Sequence, residues 1–266
     1  MPIIFKIFIF FHVFLHGVGS QFLILPFSSK ELSIGSHPTL FEHDPVNPSL
    51  YHAIEDRPSI SFNQGTWFGD VGLTQAGYNF EKNNVITHFG FKYSGITDLE
   101  FRNDSPSDSP LSYFSSFGLS FDVGKAIVRD NQRYGISISY VHFGIFTYES
   151  KGLGLNFGYS IDLGNKIKVG AVIQNVGKMS KFRTDKILLP QRVLVGCSKE
   201  FKINQIKNSV YTSIEKNSLI STAKIHIGNH FNWTRFNLYS GFSFSRGVME
   251  SSTGFGLFLS RFEVVY

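Results

Sequence analysis

The sequence predicts an all-β protein, a transmembrane antiparallel β-barrel of about 12–14 strands with an N-terminal plug segment, and three observations carry that prediction. Period-two alternation recurs from about residue 58 onward, with apolar side chains on one face and Gly, Ser and Asn on the other. After the N-terminus no stretch approaches the ~20 consecutive apolar residues of a spanning helix, so a chain that crosses a membrane must do so as strands with no open edge. The last five residues, Phe262-Glu263-Val264-Val265-Tyr266, alternate and end on an aromatic, like the closing strand of an outer-membrane barrel.

The two ends propose a route and a destination. Residues 1–20 carry a lone cation, Lys6, then the apolar run Ile7-Phe8-Ile9-Phe10-Phe11 continuing to Leu15, and a small-residue exit at Gly17-Val18-Gly19-Ser20. That is the pattern of a cleaved export signal, and with the C-terminus it points to the bacterial outer membrane. Residues 21–57 read differently, because Pro26, Pro38, Pro45, Pro48 and Pro58 interrupt short apolar pieces. This stretch is expected to enter the lumen as a plug, the alternative being a periplasmic arm. It has room for a short helix from Pro48 to about Ile54, with Asn47 as its cap and Pro48 at the first helical position.

Residues 58–266 form the wall. At 114–124, Phe117, Leu119, Phe121 and Val123 oppose Gly118, Ser120, Asp122 and Gly124, and at 136–140 Ile136, Ile138 and Tyr140 oppose Ser137 and Ser139. The cleanest run is 152–162, where Leu153, Leu155, Phe157, Tyr159 and Ile161 take one face. Ile167, Val169, Ala171 and Ile173 continue the series, as do Phe236, Leu238, Phe242 and Phe244. A soluble sandwich would point the apolar face inward and place Lys, Glu and Thr outside. Here the opposite face is small and polar, which suits a narrow lumen behind a lipid-facing wall. Turn signals at 81–84, 130–133, 164–166, 204–208 and 215–218 define up-and-down hairpins, while Pro106 and Pro110 make 103–110 an exposed loop. Roughly 205 wall residues at about 16 per strand and turn give the 12–14 strands, with an even number expected.

The net charge of +5 has no basic helix or aromatic nucleic-acid pattern beside it, so no nucleic-acid partner is expected. Lys178, Lys181, Arg183, Lys186 and Arg192 crowd one segment. They could meet phosphates of outer-membrane lipid or lipopolysaccharide, or an acidic partner, or be an ordinary solvated loop. Cys197 is the sole cysteine and reads as a small wall residue. Enzyme motifs are missing: there is no Gly-x-Ser-x-Gly, and Gly118 to Lys125 has the wrong glycine spacing and Ala126 where a phosphate loop needs a hydroxyl. His226 and His230 on a strand lie about 13 Å apart and cannot share one metal. His88 and His142 are the remaining candidates for a cross-strand hydrolase site. No cofactor and no catalysis are expected.

Several motifs then fall into one order. Phe22-Leu23-Ile24-Leu25-Pro26, Ser33-Ile34-Gly35, Asp44 and Asn47-Pro48-Ser49-Leu50 are followed by Trp67-Phe68-Gly69-Asp70. Further on come Val169 to Gly177 with Asn175-Val176-Gly177, Leu189-Pro190 and Arg192 to Gly196. This order resembles the PorV/PorQ family of outer-membrane barrels, related in fold to the FadL-type fatty-acid channel; Ser36 and Ser49 stand where the family has Gly and Ala. The resemblance implies a plug motif at Leu25, Pro26, Gly35, Asp44, Asn47, Pro48 and Leu50, and an Asn-x-Gly turn with Leu-Pro re-entry at Asn175, Gly177, Leu189 and Pro190. It implies a component of the type IX protein secretion system that binds cargo or surface-attachment proteins, PorQ-like more than PorV-like. Shuttle and anchor roles both stay open, as does a FadL-like channel for hydrophobic molecules.

Overall fold

A computed structural model describes residues 19–35, 39–42, 46–53, 57–103 and 108–266. The export signal before residue 19, Asp44 of the plug motif, Pro38, Pro45, Ile54 and the middle of the 103–110 loop lie outside them. The chain is all-β. Its strands are β1 (Ser59–Trp67), β2 (Val71–Lys82), β3 (Val85–Phe101), β4 (Ser112–Arg129), β5 (Gln132–Ile145), β6 (Tyr148–Asp162), β7 (Ile167–Met179), β8 (Lys181–Phe182) and β9 (Asp185–Lys186). They continue as β10 (Arg192–Ile203), β11 (Ile206–Asn217), β12 (Lys224–Trp233), β13 (Phe236–Ser245), β14 (Val248–Leu259) and β15 (Phe262–Val265).

Thirteen strands form one antiparallel meander in chain order, β7 pairing directly with β10 while β8 and β9 make a small hairpin between them. The turns are built from residues that tolerate a left-handed backbone: Asn83 and Asn84, Asp130, Asn165 and Lys166, Asn204 and Thr234 all have φ between 50° and 61°. These short turns share one end of the sheet. The longer connections, 102–111 and 180–191 among them, share the other.

Two expectations about closure are corrected. The hydrogen-bonded ladder runs from β1 to β15 and stops, so the sheet is not closed into a barrel, and its strand number is odd. The physical reason is direction. When each of thirteen strands is antiparallel to the next, the first and last point the same way, so the antiparallel seam of an even-stranded barrel cannot form. The expected turn at 215–218 is also shifted, since β11 continues through Asn217.

The two faces differ as the alternation requires. Ile138 is 45% exposed while its neighbours Ser137 and Ser139 are 3% exposed, and Phe157 is 42% exposed beside Asn156 at 7%. Apolar side chains therefore stand outward and polar ones inward, the reverse of a soluble sandwich. Against the inner face lies the N-terminal segment, with a 3-10 turn at Ser20–Ile24, one helical turn α1 (Ser29–Ser33) capped by Ser28, and a second 3-10 turn at Pro48–Leu50 capped by Asn47. The helix expected from Pro48 is this single turn, because the backbone extends again at Tyr51.

Candidate functional site

The interior of the curled sheet is the site, and the N-terminal segment lies along it from end to end. Near the long-loop end Gly19 lies against Phe143 of β5, and near the short-turn end Pro48 lies against Gly135 of the same strand. Between them the segment touches successive strands. Phe22, Leu23 and Phe27 pack with Leu73 of β2, Val141 of β5 and Leu189, with Leu25 at the margin of the cluster. Tyr51 stacks on His88 of β3 at 4.1 Å. Thr39 meets Ser213 of β11 through backbone and side chain, and Phe41 packs edge-on against Tyr211 and Tyr239. Lys30 forms an ion pair at 2.6 Å with Glu263 of β15.

Three contacts show why the wall is glycine-rich on this face. A Cβ on Gly241 would stand 1.7 Å from the nitrogen of Gly35, and one on Gly158 would stand 2.0 Å from Oδ1 of Asn47. At Gly135 the obstacle would be the carbonyl carbon of Pro48, at 2.1 Å. Several of the small inward residues are thus seats for the N-terminal segment: Gly241, Gly158 and Gly135 receive Gly35, Asn47 and Pro48, and Gly118, Gly124 and Gly170 receive Phe22, Tyr51 and Leu40.

Asn47 is fully buried. Its Oδ1 accepts from the Ser49 amide, and its Nδ2 donates to the carbonyls of Thr39 and Tyr159. Gly35 has φ 82°, and its carbonyl accepts from Nδ1 of His226 at 2.7 Å. The other nitrogen of His226 lies 3.3 Å from Glu215, which also faces Arg192 at 3.8 Å. Arg192 donates to Gln174, whose amide donates in turn to the Val46 carbonyl of the plug. This buried polar network joins β7, β10, β11 and β12 to the N-terminal segment, and it was not anticipated from the sequence. A signal existed: Glu215 falls in alternation with the small polar inward residues Ser209, Ser213 and Asn217.

The motif residues of the second group are placed differently from expectation. Asn175 and Gly177 form no turn. They lie inside β7, where Asn175, at φ 59°, makes a bulge against β6. The same left-handed conformation serves a bulge or a turn, so the dipeptide alone does not distinguish them. The bulge turns Asn175 toward Asn156 Oδ1, which accepts from its amide, and toward the Pro190 carbonyl, which accepts from its side chain. Leu189 and Pro190 cover the long-loop end of the interior, and Ser20 donates to the carbonyl of Leu188. Plug motif and Leu-Pro motif thus meet in one cluster.

The basic segment divides. Lys178, Lys181, Arg183 and Lys186 are exposed around the β8–β9 hairpin, with Arg183 5.0 Å from the centre of the Tyr148 ring. Arg192 is 3% exposed and belongs to the interior network, so it is no part of that patch. Cys197 is an exposed free thiol on β10. His142, with Glu149 at 3.1 Å and Phe117 beside it, faces outward, whereas His88 faces the interior, so the two cannot act together. His230 donates to Asn237 and stacks on Tyr239. Among the described residues no three His, Cys, Asp or Glu side chains converge as a metal site, and no helix is long and apolar enough to cross a membrane.

No family model and no curated protein matches the chain.

Proposed function

We propose that the chain is an outer-membrane component of the type IX protein secretion system that works by binding rather than by catalysis, a lipid-embedded sheet wrapped around a plug, holding cargo or cell-surface attachment proteins. The observation that carries this reading is the obstructed interior: a conduit needs an open path, and the plug motif narrows it at Gly35, Asn47 and Pro48, each seated on a wall glycine. What remains for function is the exposed surface, above all the long-loop end. Support for a lipid setting comes from the outward apolar face and from rings at both strand ends. Phe101 and Phe114 pack on Phe146 at the long-loop end, and Tyr134 with Tyr159 and Trp233 with Phe236 at the short-turn end. The ordered motifs that resemble PorV/PorQ proteins supply the system and the partner class, and the exposed cations at 178–186 suit lipopolysaccharide phosphate or an acidic partner.

The second reading is a FadL-like channel for hydrophobic molecules. Its supporting observation is a cavity of about 500 Å³ beside the plug, of a size that holds small ligands.

Affinity purification of the tagged chain from detergent-solubilised membranes, with mass spectrometry of what accompanies it, separates the two. Sorting-domain or surface-attachment proteins should co-purify, and deleting residues 103–110 should release them while the sheet stays folded. A lone protein carrying a fatty acid or lipid would turn the assignment to the channel.

A further inference from the structure

The cavity beside the plug is bounded by both free edges of the sheet. Ser59, Ile60, Ser61, Phe62 and Asn63 of β1 line one side, and Glu263, Val264 and Val265 of β15 line the other. Consecutive residues line it, so the strand edges themselves border the gap, with the outer backbone groups of β1 and β15 that none of the twelve ladders uses. The gap has a floor, since Lys30 and His52 of the plug line it too, the first tied to Glu263 and the second accepting through its carbonyl from Ser59. Oε1 of Gln75, on the same cavity, is buried without a hydrogen-bond partner.

Direction decides what fits. β1 and β15 both run from the short-turn end toward the long-loop end, and five consecutive residues of β1 and three of β15 line the same cavity. One extended segment running the opposite way would be antiparallel to both and would bring the count to an even number. A second copy of the chain would present a whole sheet edge, whereas this gap is bounded on both sides by edges of one chain.

We propose that the gap between β1 and β15 is a strand-accepting site, and that its occupant is an extended segment of a partner protein. Outward positions of the occupant would lie between Ile60 and Phe62 on one side and Phe262 and Val264 on the other, so they are apolar. Its inward positions would lie between Ser61 and Asn63 and the carboxylate of Glu263, so they are small and hydrogen-bonding. Its N-terminus enters at the long-loop end. Main-chain pairing supplies affinity and the alternation supplies selectivity, as in other cases of strand addition. The proposal rests on the partner-binding reading only in taking the strand from another protein.

The test uses the full chain in detergent micelles and a fluorescent ten-residue peptide alternating Val or Leu with Ser or Thr. In a central strand alternate residues bond to opposite neighbours, so N-methylating either alternate set of its amides removes one ladder. The unmethylated peptide should bind saturably, either methylated form should bind at least about tenfold more weakly, and binding should slow amide exchange at 59–63 and 262–265. Equal binding of all three peptides would reduce the effect to apolar partitioning and overturn the site, as would no saturable binding or full protection of those amides before peptide is added. These results are independent of what co-purifies through the long loops, so the two assignments fail separately.

Discussion

At the scale of single residues, the attachment of the N-terminal segment falls on a few buried polar groups. Asn47 caps the Pro48–Leu50 turn and satisfies two carbonyls, those of Thr39 and Tyr159. Asn47→Ala loses the cap and leaves buried acceptors unpaired, for a cost of about 2–3 kcal/mol. Urea unfolding in micelles should register that loss, and proteolysis should cut the plug sooner in the variant; an unchanged midpoint would mean that the amide carries little of the load. Arg192 and Glu215 are a stronger case, because each has less than a twentieth of its side chain exposed. Arg192→Met removes the guanidinium facing a buried carboxylate, which keeps His226 and Asn217 among its partners, and should cost roughly 3 kcal/mol. The double variant Arg192→Met with Glu215→Leu should regain most of it, since an apolar pair of similar volume needs no desolvation. Two losses that simply add would show that the groups are not coupled.

At the scale of elements, the strands were legible in the sequence and their ends were not. The run 114–124 marks β4, yet the strand extends from Ser112 to Arg129, because Lys125 breaks the apolar series without breaking the ladder, pairing with Thr87 and Ile136. Asn175-Val176-Gly177 looked like a turn because one left-handed residue is all that local sequence reveals, and only pairing with β6 makes it a bulge. Arg192 looked solvated because its partner Glu215 lies on the next strand, at a distance in sequence that composition cannot bridge. The N-terminal segment was legible as a proline-rich interruption of the alternation, but its seats were not, since nothing local says which glycine faces which of its residues. One attachment of this element depends on pH. Burial pushes the Glu42 carboxyl up, but the Lys168 ammonium at 2.6 Å, by charge and hydrogen bond, with Arg133 and His52 adding to it, holds it below the ordinary 4.5. A lowered folded value means that the pair's contribution is full above about 4.5 and fades as pH falls through the folded value. Plug protection against proteolysis should therefore be weaker in Lys168→Gln than in the parent at pH 7, and the gap should close on acidification below 4.5. Two-fifths of the Glu42 side chain is exposed, so the gap should be small and shrink in salt. A gap of constant size across this range would remove the ion pair as its cause.

At the scale of the whole molecule, the sheet presents an apolar exterior and a polar, occupied interior, and the exterior is where the membrane assignment stands or falls. β3 to β7 have 13 to 18 residues each, more than the ~10 that a tilted strand needs to cross the hydrocarbon layer, so they have length left to project into water at their ends. The decisive region is their middle. Ile138 sits centrally in β5, points outward, and pairs with Val123 of β4 and Leu155 of β6, both also exposed. In water an exposed Ile→Arg change of this kind is nearly neutral, within about 0.5 kcal/mol. At the midplane of a bilayer the same change costs about 2–4 kcal/mol, because the guanidinium must be stripped of water or drag water with it. Ile138→Arg should therefore lower folding stability by that amount in lipid vesicles, and a matched change at Ile127, near the short-turn end of β4, should cost about 0–1 kcal/mol. Equal, near-zero effects at both positions would place the exterior in water and leave the outward apolar face to be covered by protein. A steep dependence on depth would instead mark the hydrocarbon boundary along the strands.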